Sequence, residues 1–190
     1  MGKRQQDYEH QPLGFYPTPI RAFTPLPPHL DRGGRYADPC AGDGALCEHL
    51  ARAGFVVAWA MDLAPRDRRI LRGDAMALTA AHDATAFVTN PPWPERGRRG
   101  EPALSILQRL ATLAPTWALL PADFMHTYYG AEPMRFCRHV VTVGRIRWIP
   151  DTANDGVDNC AWYLFDGREP SRSLRFTGRS RQARVDALRA

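Results

Sequence analysis

Two short stretches combine residue types and spacing that can do chemistry. The first, Thr89 to Trp93, reads TNPPW and follows an apolar run. Its paired prolines stiffen the chain and supply no N–H. The Asn90 side-chain oxygen and the Pro91 carbonyl can then face one point, with Pro92 holding the turn. Two acceptors at one point suit a substrate bearing an NH2 group, which offers two donors. Trp93 adds a flat surface for stacking. The second stretch, Ala37 to Leu46, reads ADPCAGDGAL, a strand end followed by a glycine-bearing turn and a helix start. Gly42 and Gly44 let the backbone approach a ligand closely, and Asp38 projects from the strand end. Twenty residues after Gly42, Asp62 closes the run VVAWAMD. A carboxylate there can accept from both hydroxyls of a ribose. Asp74, in RGDAM, follows the next run and can meet an adenine amine. The pattern predicts a nucleoside-bearing cofactor beside an amine substrate. Neither the third glycine of a GxGxxG fingerprint nor a GK[S/T] sequence is present, which argues against dinucleotides and nucleoside triphosphates.

These residues need a scaffold that brings strand ends together. Short apolar runs at Tyr36–Asp38, Val56–Asp62, Arg69–Gly73, Ala86–Asn90, Thr116–Pro121, Val140–Arg147 and Ala161–Phe165 predict strands. Helical patterns fall at Ala45–Ala53 and Ala103–Ala114, with a weaker one at Pro133–Arg138. Strands alternating with helices imply one α/β domain, a doubly wound, mostly parallel sheet covered on both faces. A loop rather than a helix joins the last two strands, which predicts one antiparallel strand at an edge. Residues 1–34 hold six prolines and read as an irregular arm, 35–165 as the core and 166–190 as an arginine-rich tail.

Composition narrows the class. The chain has 190 residues, 44% hydrophobic and 24% charged. A domain of that size buries roughly 70% of its unfolded surface without staples. No apolar run approaches the ~20 residues of a membrane span, and the N-terminus lacks a signal-peptide core. The four cysteines form no CxxC pair and meet no zinc spacing with the scattered histidines. The expectation is a cytoplasmic protein with reduced thiols and no metal. The formal charge is +5, and Lys3 is the only lysine. Arginine favours bidentate phosphate contacts, so the bias is compatible with a polyanionic partner.

FYPTP (Phe15–Pro19), DPCAGDG (Asp38–Gly44), Asp62, Asp74 and TNPPW, in this order, resemble the motifs of S-adenosylmethionine-dependent amino-methyltransferases. The resemblance is closest to adenine-N6 DNA methyltransferases of the small phage and prophage type, and it runs from Phe15 to about Phe165. WALLPADF resembles the family's fifth strand and its following loop, and NCAWYLF its final strand. It implies a Rossmann-like methyltransferase fold with S-adenosyl-L-methionine as cofactor. Asp38 and the turn through Cys40, Gly42 and Gly44 would surround the methionine part of the cofactor. Asp62 would hold the ribose, Asp74 the adenine, and Phe15, Thr18 and Pro19 would close the site. Asn90, Pro91, Pro92 and Trp93 would hold a target base flipped out of DNA.

The substrate turn, Asn90 to Trp93, holds no cysteine, which excludes methylation at carbon 5 of cytosine. Family members that read a DNA sequence usually carry a separate recognition segment. Here only 25 residues follow Phe165, with seven arginines from Arg168 to Arg189. The loops Pro94–Pro102, with Arg96, Arg98 and Arg99, and Ile149–Asn159 are the other candidates. An adenine-N6 DNA methyltransferase with loose sequence preference is the first reading. An RNA adenine methyltransferase, a protein-glutamine methyltransferase and an inactive nucleic-acid-binding subunit are the alternatives.

Overall fold

The computed structural model describes residues 15–93, 101–148 and 158–179. Among the described residues eight strands form one sheet: β1 (Arg35–Asp38), β2 (Val56–Asp62), β3 (Leu71–Arg72), β4 (Ala86–Thr89), β5 (Thr116–Pro121), β6 (Cys137–Arg145), β7 (Asn159–Phe165) and β8 (Arg175–Thr177). Their spatial order is β3-β2-β1-β4-β5-β7-β6-β8. Every pairing is parallel except those of β7 with β5 and β6. This is the doubly wound, mostly parallel sheet that the pattern predicts.

The reversed strand lies further in than the expected edge position. β7 sits between β5 and β6, and its residues 160–165 pair along the whole of β5. Burial explains the placement. Cys160, Ala161, Trp162, Tyr163 and Phe165 are each at most 1% exposed, so the run needs cover on both faces and both edges.

Side chains alternate between the two faces with the strand period of two. Trp117 and Leu119 join Tyr36, Val88, Val141 and Trp162 on one face, clustered with Leu46, Leu50 and the arm residues Ala22, Phe23 and Leu26. Ala118 and Leu120 join Val140 and Tyr163 on the other, against Leu107 and Ala111. Helix α1 (Ile20–Phe23) belongs to the arm, and its four residues are what the surrounding prolines permit. The Trp162 indole N–H donates to the Ala22 carbonyl at 2.8 Å and fastens the arm to β7. Helix α2 (Ala45–Arg52) begins at Gly44, whose φ of +86° suits glycine, and buries Leu46 and Leu50 four residues apart. Helix α3 (Glu101–Leu113) covers the opposite face.

Several predicted bounds shift. The expected strand 69–73 shrinks to β3, because the Asp67 carboxylate accepts from the Arg69 N–H and folds the preceding residues into a turn. β6 starts at Cys137, earlier than expected, and takes the last residues of the predicted helix 133–138. That helix is α4 (Ala131–Met134) instead. β8 has no counterpart in the sequence reading.

Candidate functional site

The chain winds from β1 through β2 to β3 on one side and from β4 to β5 on the other. The switch point therefore lies between β1 and β4, where α/β sheets open a ligand crevice. A cleft of about 590 Å³, counting its open mouth, lies there. Phe15, Thr18, Asp38, Cys40, Gly42, Asp62, Asn90 and Pro92 line it, so most of the expected residues meet. Gly44, Pro19, Pro91, Trp93 and Asp74 do not. Gly44 caps α2, and Pro19 starts α1. Pro91 is buried. The Asp74 carboxylate caps the 3-10 turn Ala75–Ala77 by accepting the Met76 N–H at 2.8 Å.

Asp38 is 1% exposed at the end of β1. One of its oxygens accepts from the Thr89 hydroxyl at 2.7 Å and from the Cys40 N–H at 3.0 Å. Burial pushes its carboxyl up to about 7, against the pull of those two donors, and the nearby charge of Asp62 adds to the rise. Asp62 grips two loops at once. Its oxygens accept the N–H of Gly42 and the N–H of Ala64, each at 2.8 Å. Each oxygen keeps a further lone pair for a ligand hydroxyl.

Gly42 has a φ of +57°, and a Cβ built there would come within 2.8 Å of the Phe15 ring. Glycine thus serves both the turn and the close approach of the arm. The Arg66 guanidinium stacks on Phe15, 3.6 Å from its centroid. His49 of α2 donates its Nε2–H to the Thr18 carbonyl at 2.9 Å, and burial holds its imidazole below the ordinary range. The arm is thereby held over the Gly42 turn.

Asn90 follows β4 directly. Its Oδ1 accepts from the Trp93 indole N–H at 3.1 Å, and its Nδ2 donates to the Tyr16 carbonyl at 3.4 Å. The Trp93 N–H also reaches the Leu119 carbonyl at 2.9 Å, and its ring meets Trp148 edge-on at 5.1 Å. Among the described residues, the cleft walls carry three carboxylates, Asp38, Asp43 and Asp62, against one cation, Arg66. Such a lining favours a ligand with positive charge and hydroxyls.

Sequence reasoning missed the roles of Thr89, Tyr16 and Arg66. Thr89 opens TNPPW and Tyr16 lies within FYPTP, so proximity to a motif was a signal for both. Arg66 carried none. Arg96, Arg98, Arg99 and the tail beyond Arg179 lie outside the described residues. Among the described residues no group of three metal-ligating side chains converges, and no helix is long and apolar enough to cross a membrane.

Neither a family model nor a curated protein matches the sequence. Solved structures do match its fold. A chain of a type I restriction–modification system superposes with a TM-score of 0.61 at 13% identity, over 90% of this chain and 49% of that one. A candidate RNA methyltransferase from Pyrococcus horikoshii gives 0.59 at 15% identity, over 81% and 88% of the two chains. A candidate class I S-adenosylmethionine-dependent methyltransferase from Listeria monocytogenes gives 0.56 at 12%, over 90% and 67%. The chain spans about half the length of the type I system chain it matches. Strand order, reversed strand and these likenesses agree: the fold is that of the Rossmann-like S-adenosylmethionine-dependent methyltransferases.

Proposed function

We propose that the protein is an S-adenosylmethionine-dependent methyltransferase acting on the exocyclic N6 amine of adenine in DNA. The observation that carries the reading is that Asn90 opens onto the same cleft as Asp38, Gly42 and Asp62. The cofactor fits the lining: three carboxylates suit its ammonium and sulfonium charges, and Asp62 keeps acceptor capacity for ribose hydroxyls. Asp38, Cys40, the Gly42 turn, Asp62, Phe15 and Thr18 would hold it, and when bound it supplies an electrophilic methyl group.

The chain's own residues would then position the amine. An aromatic amine is a weak nucleophile because its lone pair is delocalised into the ring. The acceptor at Asn90 Oδ1, which opens onto the cleft, favours a tetrahedral nitrogen and takes the positive charge that develops there. Positioning and preorganised acceptors supply most of such catalysis, and no strong base is needed. In a duplex the base must leave the stack, and the Trp93 face would replace part of the lost stacking. The likeness to a restriction–modification chain supports DNA as the substrate, and the arginines of the tail and of 96–99 suit its phosphates.

Transfer of labelled methyl to duplex DNA, single-stranded DNA, RNA and a glutamine-bearing release factor tests the reading. N6-methyladenine in DNA is the expected product. Labelling of RNA or glutamine alone would move the substrate class, and no labelling would remove the activity.

Three further outcomes are expected. Asp62→Ala weakens cofactor affinity by about 1.5–3 kcal/mol, the loss of charge-assisted hydrogen bonds. Calorimetry showing undiminished affinity in the folded variant would take Asp62 out of the site. DNA affinity falls steeply with salt and depends little on sequence, because phosphate contacts release counterions. A flat salt titration would leave the arginines as ordinary solvated surface.

The third concerns pH. The folded Asp38 carboxyl keeps its proton up to about 7, whereas an unfolded one loses it near 3.8. Its contribution to stability therefore falls as pH rises between those values. A cationic cofactor favours the ionised form, so affinity rises with pH toward neutrality, by up to about tenfold per unit below the folded value. Binding in this window also releases a proton, which calorimetry in buffers of different ionisation enthalpy detects. Asp38→Asn flattens the profile; an unchanged slope in that variant would assign the dependence to another group.

A further inference from the structure

We propose that Trp93 is a positioning residue, whose indole N–H fixes which end of the Asn90 amide presents oxygen to the substrate amine. The inference rests on the reading of Asn90 as the amine acceptor. It gives Trp93 a task separate from stacking, carried by the nitrogen edge of the ring instead of its face.

An asparagine amide has two ends of nearly equal shape, one accepting and one donating. Only the oxygen end helps a nitrogen that is gaining positive charge; the NH2 end would repel it. Something must therefore choose the orientation. The Trp93 N–H is a donor only, and it lies 3.1 Å from Asn90 Oδ1 and 2.9 Å from the Leu119 carbonyl. A reversed amide would set NH2 against N–H. On its other side Asn90 Nδ2 meets the Tyr16 carbonyl, which favours the same orientation through a longer contact of 3.4 Å. The indole contact is thus the shorter of the two selectors.

The selector is itself rigid. Leu119 is fully buried in β5, whose neighbours β4 and β7 hold its backbone in the sheet. Trp93 packs against the core cluster that contains Leu119 and Val88, with Trp148 edge-on to its ring. Only one lone pair of Oδ1 is engaged, and a carbonyl oxygen has a second for the substrate. A tryptophan serving purely as a stacking platform would have no need to aim its N–H at the amide.

Replacing Trp93 with 3-benzothienylalanine separates the two tasks, because sulfur takes the place of N–H while shape and ring face are kept. The expected single-turnover methyl transfer, at saturating cofactor, falls by at least about tenfold, the scale of one lost hydrogen bond. Substrate and cofactor dissociation constants stay within about twofold of the parent. Transfer at the parent rate would overturn the proposal, as would a change confined to substrate affinity. A second readout needs no activity. The Asn90 side-chain amide gives one 15N–1H signal pair in the parent, and this doubles or broadens in the benzothienyl protein as both orientations become populated. An unchanged pair overturns the orienting role. A parent protein that labels no amine while its variant shows the doubling would instead remove the acceptor reading and leave the orienting contact intact.

Discussion

Asn90→Ala lowers single-turnover methyl transfer by about a hundredfold or more, the usual effect of removing one preorganised electrostatic group. Cofactor affinity changes little, because the side chain acts where charge develops on the substrate nitrogen. Asn90→Asp retains part of the rate, since a carboxylate still accepts both the Trp93 N–H and an amine proton. Rapid quenching with labelled cofactor isolates the transfer step from product release. Parent-rate transfer by the alanine variant would end the amine-clamp mechanism.

The second large effect is on stability. Trp162 is fully buried on β7, between the sheet and the arm. Trp162→Ala costs about 3–5 kcal/mol, the range for deleting a large aromatic from a packed core. Trp162→Phe keeps much of the volume but strands the Ala22 carbonyl, at about 1–3 kcal/mol. The phenylalanine variant also binds cofactor less tightly, because Phe15 to Thr18 reach the cleft from the arm it anchors. Urea denaturation and calorimetry measure the two effects. A loss below about 1 kcal/mol for Trp162→Ala would contradict a tightly packed seam there.

The scaffold was legible where burial leaves a pattern. The run 160–165 is apolar almost throughout because it is covered on both faces, so NCAWYLF reads as a strand. Its neighbours were not legible, since periodicity says nothing about which strand lies alongside. β8 escaped because Arg175 and Phe176 are exposed and three residues make no period. Asp38, Gly42, Asp62 and Asn90 could be gathered from sequence because each lies at or just beyond the carboxyl end of a strand, and parallel strands bring those ends together. Asp74 follows β3 by the same logic, yet its carboxylate turns to its own backbone two residues on. The nitrogen edge of Trp93 was hidden for a different reason: a residue name supplies a ring, and only the rotamer says where its N–H points.

The bond between Asp38 and Thr89 has a consequence for how this protein can change over time. It joins the last residue of β1 to the last residue of β4, 51 positions apart in the chain. One leads into the Gly42 turn and the other into Asn90. Hydrogen-bonded neighbours are not independent, and their substitutions do not sum. Residues 38 and 89 are therefore epistatic. A lineage that alters one of them meets a different set of tolerated residues at the other, so a change at the Gly42 turn carries over to the strand end that presents Asn90.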